Sequence, residues 1–395
     1  MRQQEQGEQE LFGQLASIGS VEVGLFEVTA TQLEKSIVDA NFLIRTGFAA
    51  TGFHDYLEQP KGQEYKVEVG VSLLTASGLR EAKLSLYRPS TKAGDPRLWI
   101  QKLPSLYPET KAGDLIALVQ DGAICAVSNL TDRVRTGNGV EEVKELFDRA
   151  APVVSGIASE LLLKLENLAA SGAFPAVSSG DNAVGLAVEA ALGIKPNSRR
   201  IPDYKGIEIK SGHSVSGNAN KTLFAKMFDK ERSPTKSYAG LLAKCGYLKD
   251  DGLKYLQCSV TGNAPNPQGL KLSVDLAEGL LNEHWDGPSG AERVAVWKLL
   301  ELEAALSEKH NTTFWVEANK VTLSSGKGFQ LGKVLHTSSP KLSAFSHFLA
   351  DGTVFVDHTI RQKPEGGTRD HGMLFRTKAL NLPRLFKVEG EYSLA

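Results

Sequence analysis

Residues 179–211, SGDNAVGLAVEAALGIKPNSRRIPDYKGIEIKS, bring together residue types that suit metal-dependent hydrolysis. Glu208 and Lys210 alternate with isoleucines, the pattern of a half-buried strand, so their charged side chains point to one face. Asp203 precedes a Lys-Gly turn, which predicts that it lies on the neighbouring strand of a hairpin. Carboxylate oxygens that meet on one face can hold a hard divalent cation. The spacing therefore predicts a cation site with Lys210 beside it.

A short helix is predicted just before this hairpin. Apolar residues recur at near-helical spacing from Val184 to Ala191. Asn182 or Asp181 can cap the start of this helix, and Gly193 stands where a C-terminal glycine belongs. Glu189 is the single charge on the helix. We expect it to face the carboxylates of the hairpin.

A second aspartate followed by a Glu-x-Lys pair, at a longer gap, is Asp132 with Glu142 and Lys144. The surrounding residues, VEEVKELFDRA, predict a helix. Positions two apart on a helix point in different directions, so this pair cannot share a metal ion. The match at 203–210, which has a hairpin context, is therefore preferred.

Length and composition limit the classes of protein. The 395 residues leave room for two or three domains, no run of eighteen apolar residues occurs, and the polar N-terminus is unlike a signal peptide. We expect a cytoplasmic protein with no membrane partner, its first ten residues frayed. The three cysteines lack zinc-site spacing and predict reduced thiols. A net charge of −1 argues mildly against nucleic-acid binding unless a local stripe carries it.

The N-terminal half reads mostly as short strands between residues 21 and 131, with glycine-rich turns and one helix near 31–40. This pattern predicts a barrel or sandwich of its own. Residues 44–56, IRTGFAATGFHDY, are interpreted as a loop. A polar loop and an amphipathic helix at 132–150 suggest a domain boundary.

The C-terminal half contains a basic tract at 211–252 in which lysines and aromatic residues are interleaved. Residues 254–260 and 270–275 are predicted to continue the central sheet, and 297–310 reads as an amphipathic helix. Residues 358–387 contain seven basic side chains and two acidic ones, a local basic surplus that the whole chain lacks. The histidines form no plausible zinc or nucleophile constellation, and no Gly-x-Ser-x-Gly motif occurs.

The run from the helix to the hairpin resembles the MvaI and BcnI restriction endonuclease family, PD-(D/E)xK nucleases related to the mismatch-repair nicking enzyme MutH. The shared features are a glutamate on a helix ending Leu-Gly-Ile, an asparagine, Pro-Asp, a glycine turn and Ile-Glu-Ile-Lys. By position the resemblance implies catalytic roles for Glu189, Asp203, Glu208 and Lys210. It also implies Mg²⁺ held by Asp203, Glu208 and the carbonyl of Ile209, with Glu189 binding a second metal ion or orienting its water.

The segment GTRDHGMLFR, 367–376, resembles the cluster that reads base pairs in the same family. The resemblance implies DNA recognition by Arg369, Asp370, His371 and Arg376. A structural role for His371 is the alternative.

Two segments of the N-terminal half resemble the DNA-contacting arms of the EcoRII effector domain, a DNA-binding pseudobarrel. They are Ala50-Thr51-Gly52-Phe53-His54, and the run from Tyr87-Arg88 through Ser90–Asp95 to Arg97-Leu98-Trp99. Arginine or lysine can read guanine there, and a carboxylate can accept from cytosine. A solvated charged loop is the alternative for residues 88–97. By position the first arm holds Arg45, Thr51 and His54, and the second holds Arg88, Lys92, Asp95 and Arg97.

Together the resemblances imply a two-domain protein. Residues 1–131 form a mostly β DNA-binding pseudobarrel, 132–152 a linker helix, and 153–395 an α/β restriction-endonuclease-like domain with a mixed central sheet. This pairing implies a type IIE enzyme that cuts double-stranded DNA at CCWGG after binding a second copy of the site, acts as a monomer and has a partner methyltransferase. The alternatives are a MutH-like nicking enzyme and a DNA-binding regulator without catalytic activity.

Overall fold

The computed structural model describes residues 1–91, 93–101, 103, 107–147, 156–180, 182–194, 202–213, 215, 217–288 and 290–394. Two residues named above, Lys92 of the second arm and Asp181 as a helix cap, lie outside the described residues, as does part of the predicted linker. Within the described parts of the chain, no helix is both long and apolar enough to cross a membrane. The three cysteines are free.

The N-terminal half contains one seven-stranded sheet, in the order β1-β6-β7-β3-β4-β5-β2. Its neighbouring strands are antiparallel except β3 and β7, which are parallel. The predicted short strands between residues 21 and 131 are confirmed, and the strand that starts at Arg97 ends at Ile100. The elements are α1 (Gln6–Ala16), β1 (Glu22–Glu27), α2 (Ala30–Lys35), β2 (Ile37–Asp39), α3 (Phe42–Ala50), β3 (Val67–Thr75), β4 (Gly78–Tyr87), β5 (Arg97–Ile100), β6 (Leu115–Asp121), β7 (Ile124–Asn129), α4 (Leu130–Thr136) and α5 (Glu141–Phe147).

Two predictions for this half are wrong. The first ten residues are not frayed, because α1 begins at Gln6 and the fully buried Glu8 accepts hydrogen bonds from Arg2. Residues 44–56 are not all loop, because α3 extends to Ala50. The side chain of Asn41 caps α3 by accepting from the Ile44 N–H, which places the start of that helix.

The C-terminal half alternates helices with strands of three further sheets. Its elements are α6 (Gly156–Ala170), β8 (Phe174–Pro175), α7 (Ala183–Ala191), β9 (Glu208–Gly212), β10 (Asn220–Ala225), α8 (Tyr238–Cys245), β11 (Tyr247–Leu248), β12 (Lys254–Val260), β13 (Leu270–Asp275), β14 (Leu280–Gly287), β15 (Gly290–Lys298), α9 (Leu299–His310), β16 (Thr312–Leu323), β17 (Gly326–Pro340), α10 (Leu342–Asp351), β18 (Val354–Gln362), β19 (Thr368–Arg369), β20 (Leu374–Lys378), α11 (Leu382–Leu385) and β21 (Phe386–Ser393).

The sheet that carries the catalytic candidates is mixed, as predicted. Its order is β21-β17-β16-β9, with β9 parallel to β16 and the other neighbours antiparallel. A second sheet has the order β10-β20-β18-β12-β11, with β19 on β18. Residues 254–260 and 270–275 were both predicted to continue the central sheet. The first form β12 of this second sheet, and the second form β13, which among the described strands pairs with β14 in a separate sheet, β13-β14-β15. That expectation is therefore wrong.

Buried apolar side chains form three clusters. One lies under the N-terminal sheet, and one packs α6 and α7 against the sheet of β9 and β16. The third and largest joins the two halves, with Phe12 and Leu25 from the N-terminal half in the same cluster as Phe348 and Phe375. The two halves therefore share a hydrophobic core where they meet.

A buried glutamate ties the N-terminal half to α10. The carboxylate of Glu22 accepts from the backbone N–H groups of Leu342 (2.6 Å) and Ser343 (2.9 Å) and from the Ser343 hydroxyl. It thus satisfies the first N–H groups of α10, which lacks a capping side chain of its own. Burial raises the pKa of Glu22 to about 7. One turn further along α10, Ser346 donates to Glu303 of α9.

A buried lysine makes the reciprocal contact. Lys341, just before α10, donates from Nζ to the carbonyls of Ala16 and Ile18 at the C-terminal end of α1. Cations are favoured at this end of a helix by its exposed carbonyls and dipole. His347 Nε2 and Gln4 Oε1 lie 2.9 Å apart across the same interface. Polar contacts as well as apolar packing therefore join the halves.

Candidate active site

The predicted hairpin is present around a two-residue turn. Lys205 and Gly206 both have positive φ, 46° and 91°, and Tyr204 and Ile207 exchange backbone hydrogen bonds across them. This geometry suits the twist of a hairpin and explains the glycine. The hairpin is short, since Tyr204 and Ile207 form a single bridge before the chain continues into β9. Asp203 Oδ2 accepts from the Ile209 N–H at 3.0 Å, which holds Asp203 against β9.

Glu208 is fully buried at the start of β9, and two ammonium groups contact the same carboxylate oxygen. Lys210 Nζ lies 2.5 Å and Lys309 Nζ 2.8 Å from Glu208 Oε1. Both distances are those of an ion pair, but neither contact has the geometry of a hydrogen bond. Among the described residues neither oxygen of Glu208 has a hydrogen-bond partner. Burying a carboxylate without hydrogen bonds is costly, and nearby cations offset part of that cost.

Glu189 reaches the same place from α7. The helix buries Val184, Ala187 and Val188 against the sheet, and it ends at Gly193, whose φ of 73° is easily adopted only by glycine. Burial raises the pKa of Glu189, and the charges of Asp203 and Glu208 add to this while Lys210 opposes it. All four catalytic candidates therefore lie within electrostatic range of one another. Their catalytic roles remain predictions.

Lys309 was not predicted from the sequence. It lies on the last turn of α9, where an amphipathic pattern alone indicates only a solvated lysine. The next residue, His310, is fully buried between Thr313 Oγ1 (2.9 Å) and the Leu223 carbonyl (2.6 Å) and stacks on Trp315. Burial lowers the pKa of His310 to about 3, so the ring is neutral. This anchor fixes the end of α9 beside β9. No local motif could have indicated the contact.

The donor set fits a hard divalent cation. Asp203 and Glu208 supply carboxylate oxygens, Oε2 of Glu208 is buried without a hydrogen bond, and a backbone carbonyl such as that of Ile209 is a ligand of the same type. No group of three or more His, Cys, Asp or Glu side chains in the described parts of the chain is arranged to hold a metal ion. Any site here therefore combines two carboxylates with backbone or solvent oxygens.

The four residues proposed to read DNA in this half lie along β19, β20 and the segment between them. Arg369 and His371 are exposed, and Asp370 Oδ1 accepts from the Gly372 N–H. Arg376 is half-buried, donating from Nη1 to Asp357 Oδ2 at 2.6 Å and from Nε to Thr222 at 3.0 Å. Arg376 is thus already engaged, whereas Arg369 and His371 are free to meet a ligand.

Several basic side chains of the tract at 211–252 form ion pairs within the protein. Lys226 pairs with Glu301 at 3.1 Å, and Arg232 pairs with Asp229. Lys221 is buried, which lowers its pKa to about 8. Its ammonium group lies near Gly212, at the end of the strand that carries Lys210.

The two predicted arms of the N-terminal half lie side by side. Arg88, in the second arm, links them: it donates to the Gly94 carbonyl in its own arm and to the carbonyls of Tyr56 and Gln59, which follow the first arm directly. The charge of Asp95 partly offsets the burial that lowers the pKa of Arg45.

The other arm residues have partners of their own. Thr51 donates to the Gly47 carbonyl, His54 Nε2 contacts Gln59, and Arg97 pairs with Asp39 at 3.4 Å. Burial lowers the pKa of His54. Among the described arm residues proposed to read DNA, Asp95 is exposed and the others are partly buried.

Comparisons with known proteins agree on the C-terminal half. The sequence profile of the MvaI/BcnI restriction endonuclease family matches residues 162–386, a range that contains all four catalytic candidates. The restriction endonuclease MvaI in complex with its cognate DNA substrate has a similar fold, with a TM-score of 0.53 at 18% identity over 62% of this chain and 100% of that one. MvaI without DNA gives a TM-score of 0.39 at 17% identity, over 62% and 99% of the two chains. No curated protein matches the chain.

Proposed function

Because the chain belongs to the MvaI/BcnI restriction endonuclease family, we propose that it hydrolyses phosphodiester bonds at a specific site in double-stranded DNA. The observation that carries this proposal is the meeting of Asp203, Glu208 and Lys210 at the start of β9, with a buried oxygen of Glu208 lacking any hydrogen bond. A divalent cation, which we propose is Mg²⁺, fits the oxygens of Asp203 and Glu208 and the carbonyl of Ile209. When bound, such a cation polarises the phosphate and lowers the pKa of the attacking water.

The protein's own groups supply the rest of the chemistry. Lys210 lies on the same face as Glu208 and can offset the charge that grows on the scissile phosphate. The Ile209 N–H fixes one oxygen of Asp203, which leaves its other oxygen available as a ligand. Glu189, whose pKa is raised, is suited to orienting water or assisting a second cation. The expected products carry a 5′-phosphate and a 3′-hydroxyl.

The finer features of the proposal come from the N-terminal half. Two arms joined by Arg88 support an EcoRII-like effector domain that binds a second copy of the site, as in a type IIE enzyme. The target proposed is CCWGG. We further propose that the protein acts as a monomer that nicks the two strands in turn. Its expected location is the cytoplasm, and its expected partner is a methyltransferase.

The direct test is cleavage of plasmids that carry zero, one or two CCWGG sites, with Mg²⁺. We expect cutting only at those sites, faster on two-site DNA or when short site-bearing duplexes are added. Lys210→Ala and Asp203→Ala should each abolish cleavage but retain DNA binding. Lys205→Ala is the matched control, because this lysine lies on the turn between Asp203 and Lys210 but pairs with Glu160 at 2.7 Å. It should cut normally.

Other outcomes would redirect the assignment. Cutting by Lys210→Ala or Asp203→Ala would refute the catalytic roles. A product with one strand intact at long times would indicate a MutH-like nicking enzyme. Equal DNA binding in chelator with no cleavage of any plasmid would favour a regulator without catalytic activity. An obligate dimer in sedimentation would contradict the monomer.

A further inference from the structure

Lys309 is a residue to which neither the sequence pattern nor the comparisons give a role, yet it contacts the carboxylate at the centre of the site. Its Nζ lies 2.8 Å from Glu208 Oε1, and the Lys309 side chain is only 28% exposed. It approaches from α9, whereas Lys210 approaches from β9 itself. Two ammonium groups from different elements thus share one carboxylate oxygen.

The charges at this site explain why a second ammonium is needed. Glu189, Asp203 and Glu208 bring three carboxylates together, and Glu208 is fully buried. Burying a carboxylate without a partner is costly, and no described residue donates a hydrogen bond to Glu208. Lys210 alone could neutralise Glu208 only while it stays in contact. In the proposed reaction, however, Lys210 must turn toward the phosphate.

The position of Lys309 is fixed by its surroundings rather than by chance contact of a flexible side chain. His310, the next residue, is held by Thr313 and by the Leu223 carbonyl. Two turns earlier in α9, Glu303 accepts from Ser346. These buried contacts set the end of the helix, and the carbonyls at a helix C-terminus favour a cation there.

We propose that Lys309 is a positioning residue that holds the Glu208 carboxylate in place through their 2.8 Å ion pair, so that Lys210 is free to act on the scissile phosphate. This inference rests on the proposed nuclease function. Lys309 acts through Glu208 and replaces part of the charge of the divalent cation before that cation binds. Its contribution to the free energy of unfolding is therefore greatest in the metal-free protein, whereas its positioning of Glu208 still matters for cleavage once the cation is bound.

The test compares Lys309→Met and Lys309→Arg with the wild type. In single-turnover cleavage at saturating Mg²⁺, Lys309→Met should be about 10- to 100-fold slower, the usual effect of removing a partner that orients a metal ligand. DNA affinity should be nearly unchanged. Lys309→Arg should recover most of the rate, because the guanidinium restores the positive charge beside Glu208 even though its shape differs from that of an ammonium group. Lys298→Met, at the other end of α9 and paired with Glu301 and Asp229, should cut like the wild type.

A second measurement does not depend on cleavage. The urea midpoint of Lys309→Met should fall below that of the wild type in chelator, and Ca²⁺ should remove most of this deficit by taking over the charge on Glu208. A lysine that merely packs against the site would give the same deficit with and without Ca²⁺, which would overturn the proposal. A normal cleavage rate for Lys309→Met would also overturn it. If the wild type cuts no plasmid, the proposed function fails, but the urea comparison still tests Lys309.

Discussion

Replacing Glu22 with alanine should loosen the junction between the two halves of the chain. The Glu22 carboxylate accepts from two backbone N–H groups and one hydroxyl at the start of α10. In the variant these donors are buried with no acceptor. Lys341, which is also buried, loses the nearby negative charge that favours its ionised form. Glu22→Ala therefore removes the acceptor of a helix end and a compensating charge together.

The size of the effect follows from these contacts. Breaking a buried, hydrogen-bonded charge pair by removing one partner typically costs about 3–5 kcal/mol. Three donors left without an acceptor point to the upper part of that range. The cost of ionising a buried Glu22, visible in its raised pKa, offsets some of the loss. We therefore expect the free energy of unfolding to fall by about 3 kcal/mol at neutral pH.

The assay is urea unfolding of the full chain, followed by tryptophan fluorescence and circular dichroism. Glu34→Ala is the control, because Glu34 is exposed on α2 and this change should alter the free energy of unfolding by at most about 0.5 kcal/mol. The wild type should unfold with both signals coincident, since the largest core contains side chains from both halves. A loss below about 1 kcal/mol for Glu22→Ala, or separate unfolding of residues 1–131 in the wild type, would refute this reasoning.

Three further predictions concern other buried groups. Burial raises the pKa of Glu303 to about 8, so its contribution to stability is fully present below its unfolded pKa near 4.5 and is lost as the pH rises to about 8. Urea unfolding from pH 5 to 8 should show a shallower decline for Glu303→Gln, and an unchanged slope would contradict this. His310→Ala leaves the buried Leu223 carbonyl without its partner and should lower the free energy of unfolding by about 1–3 kcal/mol and slow cleavage. An unaffected cleavage rate would show that His310 does not position Lys309. In the inactive Lys210→Ala background, Arg88→Ala should reduce the number of site-bearing duplexes bound from two to one by titration calorimetry, and two bound duplexes would argue against the predicted arms.

The sequence alone was sufficient where a local pattern determines local structure. Alternation of charged and apolar residues predicted β9, the Lys-Gly pair predicted the turn at 205–206, and helical spacing predicted α7 and the helical nature of 142–144. These features depend on side-chain periodicity and on backbone angles that glycine favours. The same patterns placed Asp203, Glu208 and Lys210 on one hairpin, and the family resemblance then made Glu189, Asp203, Glu208 and Lys210 the catalytic candidates.

Local patterns failed where distant segments decide the outcome. Residues 1–10 read as a polar tail, but Gln4 and α1 are held by contacts with residues more than 300 positions away, such as His347 and Lys341. Residues 270–275 were recognisable as a strand, although their sheet was not, because pairing depends on which strand lies alongside rather than on the strand's own pattern.

The sequence by itself determined the chemistry available at the site: three carboxylates and a lysine at spacings that a helix and a hairpin bring together. Only the tertiary structure decided which other groups reach that site. Lys309 lies 99 positions after Lys210, and the two meet at Glu208 because α9 leads into β16, which pairs in parallel with β9. No periodicity in the chain encodes such a contact, since it arises from the packing of one element on another.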